Sequence, residues 1–417
     1  MVSGPRPVLA PSNEPVHEYV TSLRPITWRE PKSSYDVVII GGGGHGLATA
    51  YYLAKNHGIT NVAVVEADYI ASGNTGRNTT IIRANYGIPE AVRFYHRSVK
   101  LYEGLEDETG GRILLWKRPI IWIAHTEMVL RTERARVALN QAMGVNTVLL
   151  EPREIKELVP QIDLTGGGRY PVLGASAHLE AATARHDRVA YALAAGASAL
   201  GVTLMQRRRV TGLLREGDRV VGVETSAGPI HAGTVVSAVG GRVSQIADMA
   251  GLRLPIRTHA LHAFVTNDYA PGFDTIVASM ELNCYASQTE RGQMLIGAEF
   301  DAQPTYSRVS SFDALRSYAY RMSRVLPFIR NMRILRTWAG LCDISADYSP
   351  IMSHTGIPGM YITTGWGTWG FKAIPAGGEG MAHLVATGTP NAEIAPFTLD
   401  RFRRDHVLAD QGSAGTR

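Results

Sequence analysis

An apolar run at residues 37–40 leads into four glycines in 36-DVVIIGGGGHGLATAYYLAKNHGITNVAVVE-66. A helix-length segment follows, and a second apolar run ends on Glu66. That order predicts a β-helix-β unit. Downstream, 91-AVRFYHRSVKLYEGLEDETG-110 reads as a helix, residues 113–125 as strands and residues 126–143 as another helix. The segment 185-RHDRVAYALAAGASALG-201 also reads as a helix, with Asp187 as its N-cap and Val189, Leu193 and Leu200 on its apolar face. Residues 202–239 alternate as strands do and close on a second apolar run with glycines, 234-TVVSAVGG-241. A β-rich stretch spans 256–300, a helix is expected over 311–325, and a last strand–helix unit covers 360–388. Residues 1–34 are rich in Pro and Ser without a period and read as an arm, with Trp28 placed to dock on a surface. The polar chain after Phe402 is expected to fray.

Composition narrows the class. With 417 residues, 45 % of them apolar and 19 % charged, the chain can build a full core and two domains. Two cysteines, Cys284 and Cys342, form no disulfide framework and lack metal-ligand spacing, so a cytoplasmic, metal-free protein is expected. No apolar run approaches the roughly 20 residues that a membrane span needs. A formal charge of +5 raises nucleic acid as a partner. The cations are dispersed, however, and the one tight run, Arg207-Arg208-Arg209, reads as a solvated edge, so neither nucleic acid nor a membrane is expected as a partner.

The glycines carry the chemistry. Gly41, Gly43 and Gly46 stand in G-x-G-x-x-G spacing directly after a strand and before a helix. Gly41 suits the tight turn, Gly43 the close approach of a pyrophosphate, and Gly46 the packing of helix on sheet. The helix N-terminus offers free N–H groups to phosphate. Glu66 ends the next strand about 20 residues on, where an acid receives a ribose hydroxyl pair, and an acid there disfavours NADP. The late return of the chain to a strand–glycine segment favours FAD over NAD, because the flavin end of so long a cofactor is met by distant segments.

The segments 41-GGGGHGLATAYYLAKNHGITNVAVVE-66, 77-RNTTIIRANYG-87, 336-RTWAGLCDISADYSPI-351 and 364-TGWGTWGFKAIPAGG-378 resemble the beta subunits of heterotetrameric sarcosine oxidases. These sit among the glycine- and D-amino-acid-oxidase-like flavoenzymes, and the resemblance runs from about residue 30 to 402. It implies an α/β (α+β) chain with a Rossmann-like FAD-binding domain, built from 35–110, 170–255 and 335–400. A substrate domain with an interleaved antiparallel sheet would come from 111–169 and 256–334, between a 1–34 arm and a 403–417 tail. It also implies non-covalent FAD and alpha, gamma and delta partner subunits. The implied reaction is oxidation of a small secondary N-methyl amino acid to an imine that yields glycine and formaldehyde, with electrons passing to FMN and oxygen.

The resemblance also carries residues. It places Gly41, Gly43, Gly44, His45, Gly46, Glu66, Arg77, Asn78, Thr79, Val210, Gly367, Gly370 and Lys372 around FAD, with His45 as a loop-packing residue. Arg83 and Lys372 match positions that grip the substrate carboxylate, as a bidentate fork and a point charge. Tyr86 is a candidate hydrogen-bond donor to substrate. His186, in 185-RHDRVAY-191, matches the histidine that carries covalent FMN, although Arg188 and Glu180 depart from the residues common beside it. Trp366 and Trp369 are expected to wall the substrate pocket, and the helix beginning near Ala376 to aim its N-terminus at the flavin. Trp369, and Pro119 in an expected site-facing strand, replace family glycines. Both point to the alternative of a related dehydrogenase subunit for another N-substituted amine such as N-methylglutamate.

Overall fold

The computed structural model describes residues 24–408. Its first sheet is built on parallel strands. Ser34–Ile40 lies between Val62–Val65 and Ile230–Ser237, Thr203–Met205 extends one side, and Met360–Thr364 pairs with Ile230–Ser237. Toward their carboxyl ends the central strands are buried without a break, as expected of a parallel sheet covered on both faces. Helix Gly44–His57 follows the first strand and packs against Ile374–Thr387 and His186–Ala199. Its glycines and alanines permit that close approach, and it stops at Gly58 in the left-handed conformation, φ 67°.

The second sheet has eight strands, in the order Ile334–Ser345, Ile256–Asp268, Gln293–Pro304, Cys284–Gln288, Ile276–Ser279, Ile120–Ala124, Gly174–His178 and Thr147–Leu150. It is antiparallel except where Ile276–Ser279 runs parallel to Ile120–Ala124. Helix Phe312–Val325 covers one face, packing Tyr318, Met322 and Val325 against Phe264 and Ile296. Two strands alter the expected division of the chain. Gly174–His178 and Ile334–Ser345 belong to this second sheet, although 170–255 and 335–400 were assigned to the nucleotide domain. Cross-strand pairing, which local pattern does not encode, decides their membership.

Smaller corrections have local causes. Helix His186–Ala199 has Arg185 at its N-cap with no side-chain cap; Asp187 sits inside the first turn and pairs with Arg185 at 2.8 Å. Leu200 falls beyond the helix and is exposed rather than on its apolar face. The chain just after Phe402 is tied down: Leu408 N donates to Asp347 Oδ2 at 2.9 Å, and Ser349 Oγ donates to Leu408 O at 2.6 Å. Of the arm, residues 1–23 lie outside the described residues; Trp28 is exposed, and Thr27 N donates to Ser198 Oγ. Among the described residues no helix is long and apolar enough to cross a membrane, and Cys284 and Cys342 are both buried and form no disulfide.

Candidate active site

A cavity of about 350 Å³ runs from the carboxyl ends of the first sheet to the face of the second. At one end lies the glycine loop. Gly41 adopts φ 110°, and a Cβ there would sit 2.5 Å from Ala238 O, so the turn is possible only without a side chain. Gly41, Gly43, Gly44 and His45 line the cavity. Gly46 does not; a Cβ on it would strike Gly41 O, so its role is to close the loop onto its own helix. Gly44 is the position that brings two helices together, since a Cβ would run into Ile374.

Glu66 holds this loop from below. Its Oε2 accepts from Gly42 N at 2.8 Å and its Oε1 from Asp68 N at 2.9 Å. Ser72 Oγ also donates to Oε1, at 3.4 Å, so of the roughly four acceptor sites of a carboxylate one remains for a ribose hydroxyl. Beyond it, Asn74 joins the two halves of the site. Its Oδ1 accepts from Leu341 N at 2.7 Å, and its Nδ2 donates to Leu341 O. Arg77 is fixed likewise, its carbonyl accepting from Trp338 Nε1 at 2.7 Å. Asn78 Oδ1 accepts from Thr80 N at 2.6 Å, and Thr80 takes φ 63°, a strained conformation that turns the chain toward Arg83. Thr79 Oγ1 hydrogen-bonds Tyr285 OH at 2.8 Å, and burial pushes that phenol up to about 12. Val210, Gly367 and Gly370 also line the cavity.

Four arginines, Arg77, Arg209, Arg242 and Arg308, line the same cavity. Burial, then repulsion from neighbouring arginines, lowers the pKa of Arg242 and Arg308. Arg209 is exposed, as expected of a solvated edge, and that edge also lines the cavity. Arg242 and Arg308 had no local sequence signal; strand and loop placement alone brings them here.

The other end holds Arg83 and Lys372, both buried. Arg83 leaves the short strand Ile81–Ile82 with its guanidinium over the rings of Tyr86, at 4.2 Å, and Trp122, at 4.9 Å. Its NH1 donates to Asn85 O and Oδ1 at 2.9 and 3.1 Å. Lys372 sits in the tight turn Phe371–Ala373. That turn is pinned by Ser98 Oγ donating to Lys372 O and Tyr102 OH donating to Phe371 O, each at 2.6 Å. Burial, then the Arg83 charge, drives the Lys372 ammonium well below its ordinary pKa.

The loop before that turn is organised by Asp343. Its Oδ2 accepts from Thr364 Oγ1, Gly365 N and Trp366 N at 2.9, 2.7 and 3.2 Å. Asp343 lies near the carboxyl end of Ile334–Ser345, inside the resembling segment 336–351 but with no role assigned to it there. Helix Ile374–Thr387 begins at Ile374, two residues before the expected start, and Ile374 lines the cavity.

Several expected site residues lie elsewhere. Tyr86 is fully buried beneath Arg83, stacked on Tyr95 at 4.2 Å, and does not line the cavity; it supports the arginine rather than facing a ligand. Pro119 does not line it either, whereas Ile120 and Trp122 do, because alternate residues of one strand share a face. Trp369 touches the cavity but buries its ring against Tyr86 and Tyr95. His45 stacks on Trp366 at 3.8 Å, its Nε2 is 2.9 Å from Gly370 O, and burial lowers its pKa to about 3, which suits packing and not proton transfer near neutrality. His186 lies outside this cavity, its Nδ1 3.6 Å from Asp187 Oδ1, too long for a hydrogen bond.

These features fit FAD. A loop that tolerates no side chain, a helix N-terminus, an acid at the strand end and an arginine-lined wall suit an adenine dinucleotide. The opposite end leaves two basic side chains beside the space for the reacting ring.

Comparison with known proteins agrees with this geometry. The model of the family "FAD dependent oxidoreductase" matches residues 36–384. Sarcosine oxidase subunit beta of an Arthrobacter species is 43 % identical over 92 % of this chain and 95 % of its own length. The protein of the same name from Rhodobacter capsulatus is 42 % identical over 93 % of each. Among solved structures, L-proline dehydrogenase from P. horikoshii superposes with a TM-score of 0.86 at 29 % identity, covering 91 % of this chain and all of its own.

Proposed function

This chain belongs to the FAD-dependent oxidoreductase family, and from that premise we propose that it oxidises sarcosine, or a closely similar secondary N-methyl amino acid, at the CH–NH bond. The observation that carries the reading is the pair Arg83 and Lys372, buried at the far end of the FAD cavity in a chain 43 % identical to a sarcosine oxidase beta subunit. The proline dehydrogenase of similar fold is named for another α-carboxylate with a secondary amine, which supports the same substrate class.

The chemistry that FAD supplies when bound is acceptance of a hydride equivalent from the carbon next to nitrogen. Gly41, Gly43 and Gly44 would take the diphosphate, Glu66 the ribose, and Arg77, Asn78, Thr79, Val210, Gly367 and Gly370 the remaining length. Arg83 offers its fork to the carboxylate and Lys372 a second nitrogen beside it. Holding the carboxylate orients the α-carbon, the entropic share of the barrier. Trp366 and Trp122 exclude water from that end. The N-terminus of Ile374–Thr387, whose first residue lines the cavity, would stabilise negative charge that grows on the bound flavin. The imine product hydrolyses to glycine and formaldehyde. Formaldehyde release from sarcosine tests the proposal; a holoenzyme that reduces its flavin with N-methylglutamate and not with sarcosine would replace it. Neither departure from the family favours that second amine, since Pro119 is off the cavity and most of the Trp369 ring is in the core.

The relatives are named as beta subunits, and we extend the proposal to alpha, gamma and delta partner subunits and a cytoplasmic setting. We also assign covalent FMN to His186. Its support is an imidazole at the first turn of a helix, 29 % exposed, with a buried Nδ1 that has no hydrogen-bond partner. Such a nitrogen is available as a nucleophile. Acid precipitation of the assembled enzyme is expected to leave FAD in the supernatant and yellow FMN on the peptide containing His186. A colourless pellet would remove the assignment and leave a single-flavin enzyme.

A further inference from the structure

We propose that Lys372 stands as a neutral amine in the substrate-free enzyme and takes its proton from the ammonium group of the arriving amino acid. The inference rests on the proposed substrate class and concerns how that substrate becomes reactive. An N-methyl amino acid arrives as a zwitterion, and its protonated nitrogen has no lone pair to assist departure of a hydride from the neighbouring carbon. A group at the site must remove that proton.

The surroundings of Lys372 suit it for the task. It is 8 % exposed, and its Nζ makes one hydrogen bond, donating to Thr368 O at 3.2 Å. Among the described residues it has no ion pair. A buried ammonium without a counter-ion is costly, and lysine relieves that cost by losing its proton. The packed elements add to this, leave it unchanged or, at Cys342, oppose it weakly. Arg83 brings a like charge from the end of Ile81–Ile82. Ile334–Ser345 brings the Cys342 thiol, which burial keeps protonated, and Asp343, whose Oδ2 is taken by Thr364, Gly365 and Trp366. Helix Pro89–Thr109 brings the Tyr102 phenol, committed to Phe371 O and held protonated by burial. The glycine-loop helix brings His45, neutral and bound to Gly370 O. No base among these competes with Lys372, and the Cys342 thiol, which favours its charge, is outweighed by burial and by Arg83.

The incoming carboxylate changes that balance. Set against Arg83, it supplies the counter-ion that Lys372 lacks, which raises the proton affinity of the amine just as the substrate nitrogen comes within reach. One N–H bond of the substrate ammonium breaks, its electron pair stays on nitrogen, and the proton bonds to the Nζ lone pair. The product is a neutral secondary amine beside a lysinium–carboxylate pair, with no proton exchanged with bulk water.

(Methylthio)acetate separates the two halves of this event, because it has the carboxylate and the shape of sarcosine but no ammonium. Calorimetric titration of it into the FAD holoenzyme at neutral pH, in buffers of different ionisation enthalpy, is expected to show uptake of about one proton per bound ligand. Lys372→Arg should still bind it but with uptake near zero, since a guanidinium stays protonated throughout. Binding by the unaltered enzyme without proton uptake would overturn the proposal and leave the carboxylate site standing. Absence of binding would remove both.

Discussion

Arg83→Met is expected to lower kcat/KM for sarcosine by about a thousandfold while FAD stays bound. A fork gripping a carboxylate makes two charge-assisted hydrogen bonds, each contributing roughly 2 kcal/mol. Their joint loss of about 4 kcal/mol corresponds to a factor near 10³. Methionine keeps much of the volume beneath Trp122, so the wall does not collapse. Steady-state kinetics alongside flavin content checks the expectation. A normal kcat/KM would mean that Arg83 serves the fold, through contacts such as those with Asn85, Tyr86 and Trp122, and not the substrate. Tyr86→Phe makes the contrast, because its hydroxyl lies outside the cavity lining and KM should scarcely move.

Gly41→Ala should cost the protein its FAD. The added Cβ would have to occupy space 2.5 Å from Ala238 O, on a backbone with φ 110° that L-residues rarely adopt. Backbone strain alone is about 1–3 kcal/mol. Relief requires the loop to leave the strand end, and that movement takes the neighbouring N–H groups and the Gly42–Glu66 hydrogen bond with it. FAD released into acid supernatant per mole of purified protein should fall several-fold, with a lower melting temperature. Gly43→Ala, which meets only Thr75 Oγ1 at 3.3 Å, separates the effects. It should fold nearly as well as the parent while binding FAD less tightly. Full FAD occupancy in Gly41→Ala would show that the loop can move without loss of the nucleotide.

The nucleotide end was legible in the sequence because its parts are contiguous. Strand, glycines, helix and Glu66 fall within one β-helix-β unit, and local pattern fixes their mutual geometry. Arg83 and Lys372 were reached through the resemblance, since the two lie far apart in the chain and meet only through the fold. Asp343 was illegible for a related reason: nothing beside it says that its carboxylate will receive three donors from Thr364 and the two residues after it. The arginine wall behaves likewise, with Arg242 and Arg308 delivered by segments of different sheets. Tyr86 shows the limit of spacing, because three residues beyond Arg83 the chain has left the strand and the ring turns underneath. The strand Ile120–Ala124 could have been read further, since period-two alternation from its true start puts Ile120 and Trp122 on one face and excludes Pro119.

The most direct test is anaerobic mixing of the oxidised FAD holoenzyme with sarcosine, followed by flavin absorbance and by formaldehyde after acid quench. Bleaching of the flavin with formaldehyde in matching amount is the result this account predicts. A flavin that remains oxidised under saturating sarcosine, in enzyme shown to hold its FAD, would contradict it.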